Sequence, residues 1–267
     1  MQKLSADTQA DLIHVANLLA DAARDAILPY FRSSDLTADN KLTEGFDPVT
    51  EGDRAAEKAM RDLLANLRPD DAIFGEEFGQ KEGTSGLTWV LDPIDGTRGF
   101  LSGTPTWGVL IAVGREDGPE LGIIDQPYIK ERFIGGLGEA WIDGPLGRRD
   151  LKTRTTADLS EAILFTTFPE VGTAQEGTAF QSLSQQTKLT RYGMDCYAYG
   201  LVAAGQIDLV VEAGLQSYDV QAPIAVIEAA GGIVTDWQGK PVHQGGRVLA
   251  AANAKIHKKA LEVLSKV

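Results

Sequence analysis

The stretch Trp89-Val90-Leu91-Asp92-Pro93-Ile94-Asp95-Gly96-Thr97-Arg98-Gly99-Phe100 decides how the rest of the chain is read. Its apolar start, Trp-Val-Leu, has the residues of a buried strand. The strand is expected to stop at Asp92-Pro93, because proline has no N–H for a ladder and holds the preceding residue extended. Asp92 and Asp95 then follow at i and i+3 on a stiff turn. Like charges held this close are costly unless a cation lies between them. Hard divalent ions such as magnesium take oxygen ligands of this kind. Gly96 permits close backbone approach and Thr97 adds a hydroxyl; if their N–H groups open a helix, they suit a phosphate. Taken alone, Asp92 would be a strand-end cap and Asp95-Gly96 a hairpin turn.

The chain has 267 residues, 43% apolar and 24% charged, enough for one large or two small soluble domains. No apolar run reaches membrane-spanning length, and Met1 to Asp7 lacks the basic-then-apolar pattern of a signal peptide. Cys196 is the single cysteine, so no internal disulfide forms, and a reducing cytoplasm is expected. A net charge of −13 argues against nucleic acid and anionic membranes as partners. It would also repel a phosphate ester, unless metal ions invert the local field.

Leu12, Val15, Ala16, Leu19, Ala22, Ala23 and Ala26 form a helical stripe over residues 5–28, ended by Pro29. Residues 33–44 are polar and turn-rich, and are expected to be a mobile loop. A second helix follows Asp47-Pro48-Val49-Thr50-Glu51-Gly52-Asp53, with Asp53 near its start, where it could be an ordinary N-cap. Residues 72–78 read as a strand ending in Glu76-Glu77, and 79–86 as a flexible connection. Short strands over 107–113, 121–125, 132–136 and 140–142 make an antiparallel meander. A polar break at 150–160 sets the expected division into an α+β part, residues 1–150, and an α/β part, residues 151–267. The second part alternates strand and helix, as in layered α/β folds. His14 has no acidic or cysteine partner at ligand spacing and is expected to be structural; His243, in a loop, and His257, in a terminal helix, are not expected to be catalytic.

Four separated motifs resemble the inositol monophosphatase-like phosphatases: Val49-Thr50-x-x-Asp53, Gly75-Glu76-Glu77, Asp92-Pro-Ile-Asp-Gly-Thr97, and Tyr218-Asp219 before a helix ending in Gly231-Gly232. The resemblance covers nearly the whole chain. It implies a layered αβαβα fold and phosphate monoester hydrolysis with two or three Mg2+ ions. The metal ligands would be Glu76, Asp92, Asp95, Asp219 and the Ile94 carbonyl. Glu77 would support them, and Asp53 paired with Thr97 would orient and deprotonate the attacking water. Gly96 and Thr97 would hold the phosphate. The likeness further implies lithium sensitivity and a homodimer. Tyr218 and Gln221 depart from the commonest family residues, which puts an inositol-type pocket in question.

The strings Thr97-Arg98-Gly99-Phe100, Arg191 to Tyr199 and Tyr218 to Ala222 look most like the histidinol-phosphate phosphatases of this superfamily, which serve histidine biosynthesis. Arg98, Gly193, Asp195 and Glu212 are the expected substrate contacts. Asp195 stands where the family usually has a small neutral residue, and two carboxylates would complement an ammonium and an imidazole. Asp195 could instead cap a helix starting at Cys196. Inositol monophosphatase and 3′-phosphoadenosine phosphatase are alternatives. So is a non-catalytic metal- and phosphate-binding regulator, though a degenerate relative would be expected to lose at least one ligand.

Overall fold

The computed structural model describes residues 4–34, 36–40 and 48–266. Helix α1 (Ala6–Ile27) starts where the Ser5 hydroxyl accepts the Thr8 N–H, and it ends just before Pro29. Strands β1 (Ala38–Asn40) and β2 (Pro48–Thr50) pair antiparallel, so part of the loop expected over 33–44 is strand. Asp35 and residues 41–47, which include Asp47 of the second motif stretch, lie outside the described residues.

Helix α2 (Glu51–Leu67) leads into β3 (Ala72–Gly75), β4 (Gly79–Lys81), β5 (Thr88–Asp95) and the short α3 (Thr97–Leu101). Two expectations are corrected here. The strand expected over 72–78 stops at Gly75, leaving Glu76 and Glu77 in a turn. Residues 79–81, expected to be flexible, form an edge strand antiparallel to β3. A third correction concerns Pro93. Strand β5 runs past it to Asp95, because the pairing shifts register between Asp92 and Asp95. An irregularity of this kind accommodates a residue without an N–H.

The meander β6 (Gly108–Arg115), β7 (Gly118–Gln126), β8 (Glu131–Gly136), β9 (Glu139–Asp143) and β10 (Arg149–Asp150) completes an eight-stranded sheet, ordered β10-β9-β8-β7-β6-β5-β3-β4. All its pairings are antiparallel except β3 with β5. After a 3-10 turn at Leu159–Glu161 come β11 (Ile163–Thr166), α4 (Ala174–Ser184), β12 (Leu189–Tyr192), α5 (Asp195–Ala203), β13 (Leu209–Leu215), α6 (Ser217–Ala229), β14 (Ile233–Thr235), β15 (Gly246–Ala251) and α7 (Ala254–Leu264). The second sheet is ordered β12-β11-β13-β15-β14.

Alternating side chains of each sheet feed two apolar clusters, which gives the layering. Trp89 and Leu91 pack under α1 and α2, while Val90 faces α5 and α6. Val210 and Ala250 face the same central layer, while Leu209 and Leu249 pack under α4 and α7. The order is α1/α2, large sheet, α5/α6, small sheet, α4/α7. Gly122 and Gly135 sit opposite each other on β7 and β8. A Cβ on Gly122 would come within 2.4 Å of the Ala222 carbonyl oxygen, and one on Gly135 within 2.5 Å of the Val226 Cα. Their bare backbones seat α6 directly on the large sheet.

Candidate active site

The C-terminal end of β5 and the first turns of α5 and α6 meet around one pocket of about 380 Å³ between the two sheets. Asp92, buried on β5, accepts the Ile94 N–H at 3.1 Å, which folds the turn back on itself. Asp95 accepts the Cys196 N–H at 2.6 Å and so caps the first turn of α5. Asp219 is the third residue of α6 and accepts the Gln216 N–H at 2.6 Å. Pro223, four residues on, has no N–H to offer the Asp219 carbonyl.

One carboxylate oxygen from each of Asp92, Asp95 and Asp219 lies within 4.8 Å of the other two. Burial raises all three acids. For Asp92 the charges of Glu76, Asp95 and Asp219 add to it. For Asp95 those of Asp219, Asp195 and Glu212 do so. Asp219 is pushed up to about 7, by burial against the restraint of the Gln216 N–H. Crowded buried carboxylates of this sort cost stability unless a cation shares them. An all-oxygen donor set in a cleft fits a hard divalent ion.

Glu76 lines the same pocket and donates its N–H to the Leu91 carbonyl, which aligns the turn after β3 with β5. Gly96, with φ 83°, is the left-handed hinge between β5 and α3. A Cβ there would also strike Asp195, whose Cγ would be 2.7 Å away. Thr97 opens α3, where the first N–H groups of a helix lack intrahelical partners. Its hydroxyl donates to the Ile94 carbonyl at 3.1 Å.

The expected Asp53–Thr97 pair is not among the hydrogen bonds of the described residues. Asp53 is not the N-cap of α2 either. Thr50 is the cap, and Asp53 is the third helical residue, accepting both the Thr50 N–H at 2.8 Å and its hydroxyl at 2.5 Å. The other Asp53 oxygen is buried without a hydrogen bond. Burial, with smaller pushes from Glu76 and Glu77, moves Asp53 up to about 7 against the two Thr50 bonds. Asp53 and Glu77 are not among the residues that line the pocket.

Among the expected substrate contacts, Arg98, Asp195 and Glu212 line the pocket. The Arg98 guanidinium lies over the Phe168 ring, 4.8 Å from its centroid. Asp195 is not a side-chain cap. It is itself the first residue of α5, held at φ 44°, with its carboxylate toward Thr106 at 3.5 Å. The Asp95 carboxylate occupies the capping position instead. Burial and the Glu212 charge raise Asp195 to about 7, while Thr106 and Arg98 restrain the shift. Glu212 accepts from the Thr167 N–H at 3.0 Å, the Thr167 hydroxyl and the Tyr199 hydroxyl at 2.7 Å. Gly193 is exposed and off the pocket, its N–H bonded to the Thr166 and Thr167 carbonyls.

Thr167, Phe168 and Glu57 were not expected from the sequence, and Tyr199 entered only as the end of the string from Arg191, with no role of its own. Glu57 alone left a signal: a charged residue next to Ala56 in the apolar stripe of α2, one turn after Asp53.

This fold and this pocket are those of a metal-dependent phosphoric monoester hydrolase. The chain belongs to the Inositol monophosphatase family, whose profile matches residues 8–267. It is 42% identical to a chloroplastic bifunctional phosphatase of Arabidopsis thaliana, over 97% of this chain and 76% of that one. It is 33% identical to a histidinol-phosphatase of Streptomyces coelicolor, over 96% of this chain and 97% of that one. A solved inositol monophosphatase from Zymomonas mobilis superposes with a TM-score of 0.85 at 40% identity, covering 98% of this chain and 100% of that one. No helix among the described residues is long and apolar enough to cross a membrane.

Proposed function

We propose that the chain hydrolyses L-histidinol phosphate to L-histidinol and phosphate, using Mg2+. The observation that carries this reading is the second pair of carboxylates in the pocket, Asp195 and Glu212, beside the metal-binding group. Both are raised by burial. An ammonium or imidazolium between them would hold them ionised, whereas a neutral polyol gives no such return. The histidinol-phosphatase likeness at 33% identity supports the same substrate. The 40% identity to an inositol monophosphatase favours inositol phosphate as the second reading.

Glu76, Asp92, Asp95, Asp219 and the Ile94 carbonyl would hold two or three Mg2+ ions. Divalent ions bound there neutralise the ester oxygens and stabilise the leaving alkoxide. The N–H groups of Gly96 and Thr97 would bind the phosphate at the helix opening. Asp53, held ready by Thr50 and raised toward neutrality, would take the proton of the attacking water by way of Thr97. Glu77 adds negative charge beside Asp53 and favours that uptake. Arg98 would restrain the substrate end of the pocket, with Gly193 shaping the loop before Asp195. We place the enzyme in the cytoplasm as a homodimer, with residues 1–150 carrying most metal ligands and 151–267 the substrate contacts.

The test is phosphate release from histidinol phosphate, inositol 1-phosphate and 3′-phosphoadenosine, each with and without Mg2+. Preference for histidinol phosphate supports the assignment. Preference for inositol 1-phosphate replaces it with the second reading, and full activity after exhaustive chelation removes the metal role.

A further inference from the structure

We infer that Glu57 is a positioning residue for the metal-binding turn at Glu76. This inference rests on the reading of Glu76 as a metal ligand. The Glu57 side chain is fully buried in the inner face of α2. One of its oxygens accepts the Glu77 N–H at 2.7 Å; the other accepts the Phe78 N–H at 3.2 Å and Arg61 Nε at 2.7 Å. These two N–H groups belong to the residues directly after Glu76. The carboxylate therefore fixes where the chain turns and how the Glu76 peptide is presented to Asp92.

The sequence makes room for this clamp. A Cβ on Gly75, the last residue of β3, would lie 2.0 Å from a Glu57 oxygen. Only a bare backbone at that position lets the carboxylate reach the turn. From the other side, Arg61 donates to the Gly79 carbonyl as well as to Glu57, which closes the turn between β3 and β4. Asp53, Glu57 and Arg61 are spaced four apart, so one face of α2 presents the proposed base and the clamp together. A buried ion pair could serve packing alone. What sets this one apart is that its acceptors are spent on the backbone of the ligand turn, an arrangement that orients ligands in metal sites.

Glutamine in place of Glu57 keeps the shape but turns one acceptor into a donor facing an N–H or a guanidinium. Mg2+ binding by calorimetry, alongside chemical unfolding, should be compared in the wild type, Glu57→Gln and Leu64→Ala. Leu64 is a fully buried apolar core residue of the same helix and serves as the control for lost stability. Glu57→Gln should raise the Mg2+ Kd by about 10- to 100-fold. Its kcat should largely recover at saturating Mg2+, while Leu64→Ala loses stability with Kd unchanged. Wild type that binds no Mg2+ would sink the metal reading itself. Wild type that binds, with Glu57→Gln within twofold of it, would sink the role of Glu57 alone; so would an equal loss of affinity in Leu64→Ala. Should Glu57→Gln fail to fold, Gly75→Ala, which keeps the carboxylate but displaces it, faces the same comparison. If neither variant folds, Glu57 is a stability determinant and the assignment falls.

Discussion

Asp95 has two roles that a sequence shows one at a time: it belongs to the acidic trio and it caps α5. Asp95→Asn keeps a capping oxygen but removes a charge from the trio. Turnover should fall by orders of magnitude with the fold intact, and the rise in Tm on adding Mg2+ should disappear from thermal unfolding curves. Thr97→Ala should behave differently. In the proposed mechanism the hydroxyl orients the attacking water and is not a metal ligand, so its loss should lower kcat while leaving Mg2+ affinity nearly unchanged; abolished metal binding would contradict that division. Asp195 tests the substrate. Its carboxylate caps nothing, so Asp195→Asn should leave α5 in place. A charge-assisted hydrogen bond is worth about 1.5–3 kcal/mol. The matching loss in kcat/KM for histidinol phosphate is roughly ten- to a hundred-fold. β-Glycerophosphate, which carries no cation, should lose much less. Equal losses on both substrates would mean that Asp195 does not read charge.

Element by element, the sequence was legible where local chemistry decides. The apolar stripe and Pro29 mark α1, and the turn-separated apolar runs mark the meander, because period and punctuation are local properties. It was opaque where a partner decides. Strand β4 exists because β3 lies beside it, and its residues Gly79-Gln80-Lys81 have no strand pattern of their own. Likewise the carboxylate that caps α5 comes from a residue 101 positions away, so no neighbouring string could announce it. Helix α4 is a local case that can be titrated. Glu176 accepts the Thr173 N–H at 2.7 Å and the Thr173 hydroxyl at 2.8 Å, and pairs with Arg247 at 2.7 Å. The Thr173 N–H first, then Arg247, hold its pKa below the ordinary value of 4.5. A carboxylate depressed in the folded state stabilises the fold above its unfolded value, and that help is lost as pH falls through the folded value. Glu176→Gln should therefore cost about 0.5–2 kcal/mol at neutral pH, in the range of a lost cap. Urea unfolding should show the gap from wild type narrowing below about pH 4.5 and closing in stronger acid. A gap that stays constant down to pH 3 would remove the charge from the account.

At the scale of the whole molecule, the four motifs were legible as a set, but the site they form was not, because it depends on how three layers stack. Asp92 and Asp95 end a strand of the large sheet, whereas Asp219 arrives on a helix lying across that sheet's other strands. The trio closes only if α6 sits close to β7 and β8. Nothing in the string around Gly122 or Gly135 signals metal chemistry, yet these two glycines set that distance. A Cβ on Gly122 would meet the Ala222 carbonyl oxygen at 2.4 Å, its Cα at 2.9 Å and its carbonyl carbon at 3.0 Å, all of them backbone and unable to turn aside. Gly122→Ala must therefore lift α6 or bend β7. Overpacking of this kind costs about 1–3 kcal/mol. Ala222 lies three residues after Asp219, on the same turn of α6, so the lift is passed to the proposed metal ligand. We expect Gly122→Ala to lower the urea midpoint, weaken Mg2+ binding in calorimetry, and reduce kcat at fixed Mg2+ more than at saturating Mg2+. Loss of stability with unchanged Mg2+ affinity would show that the first turn of α6 is held by its own contacts, the Asp219–Gln216 bond foremost, and not by its seat on the sheet.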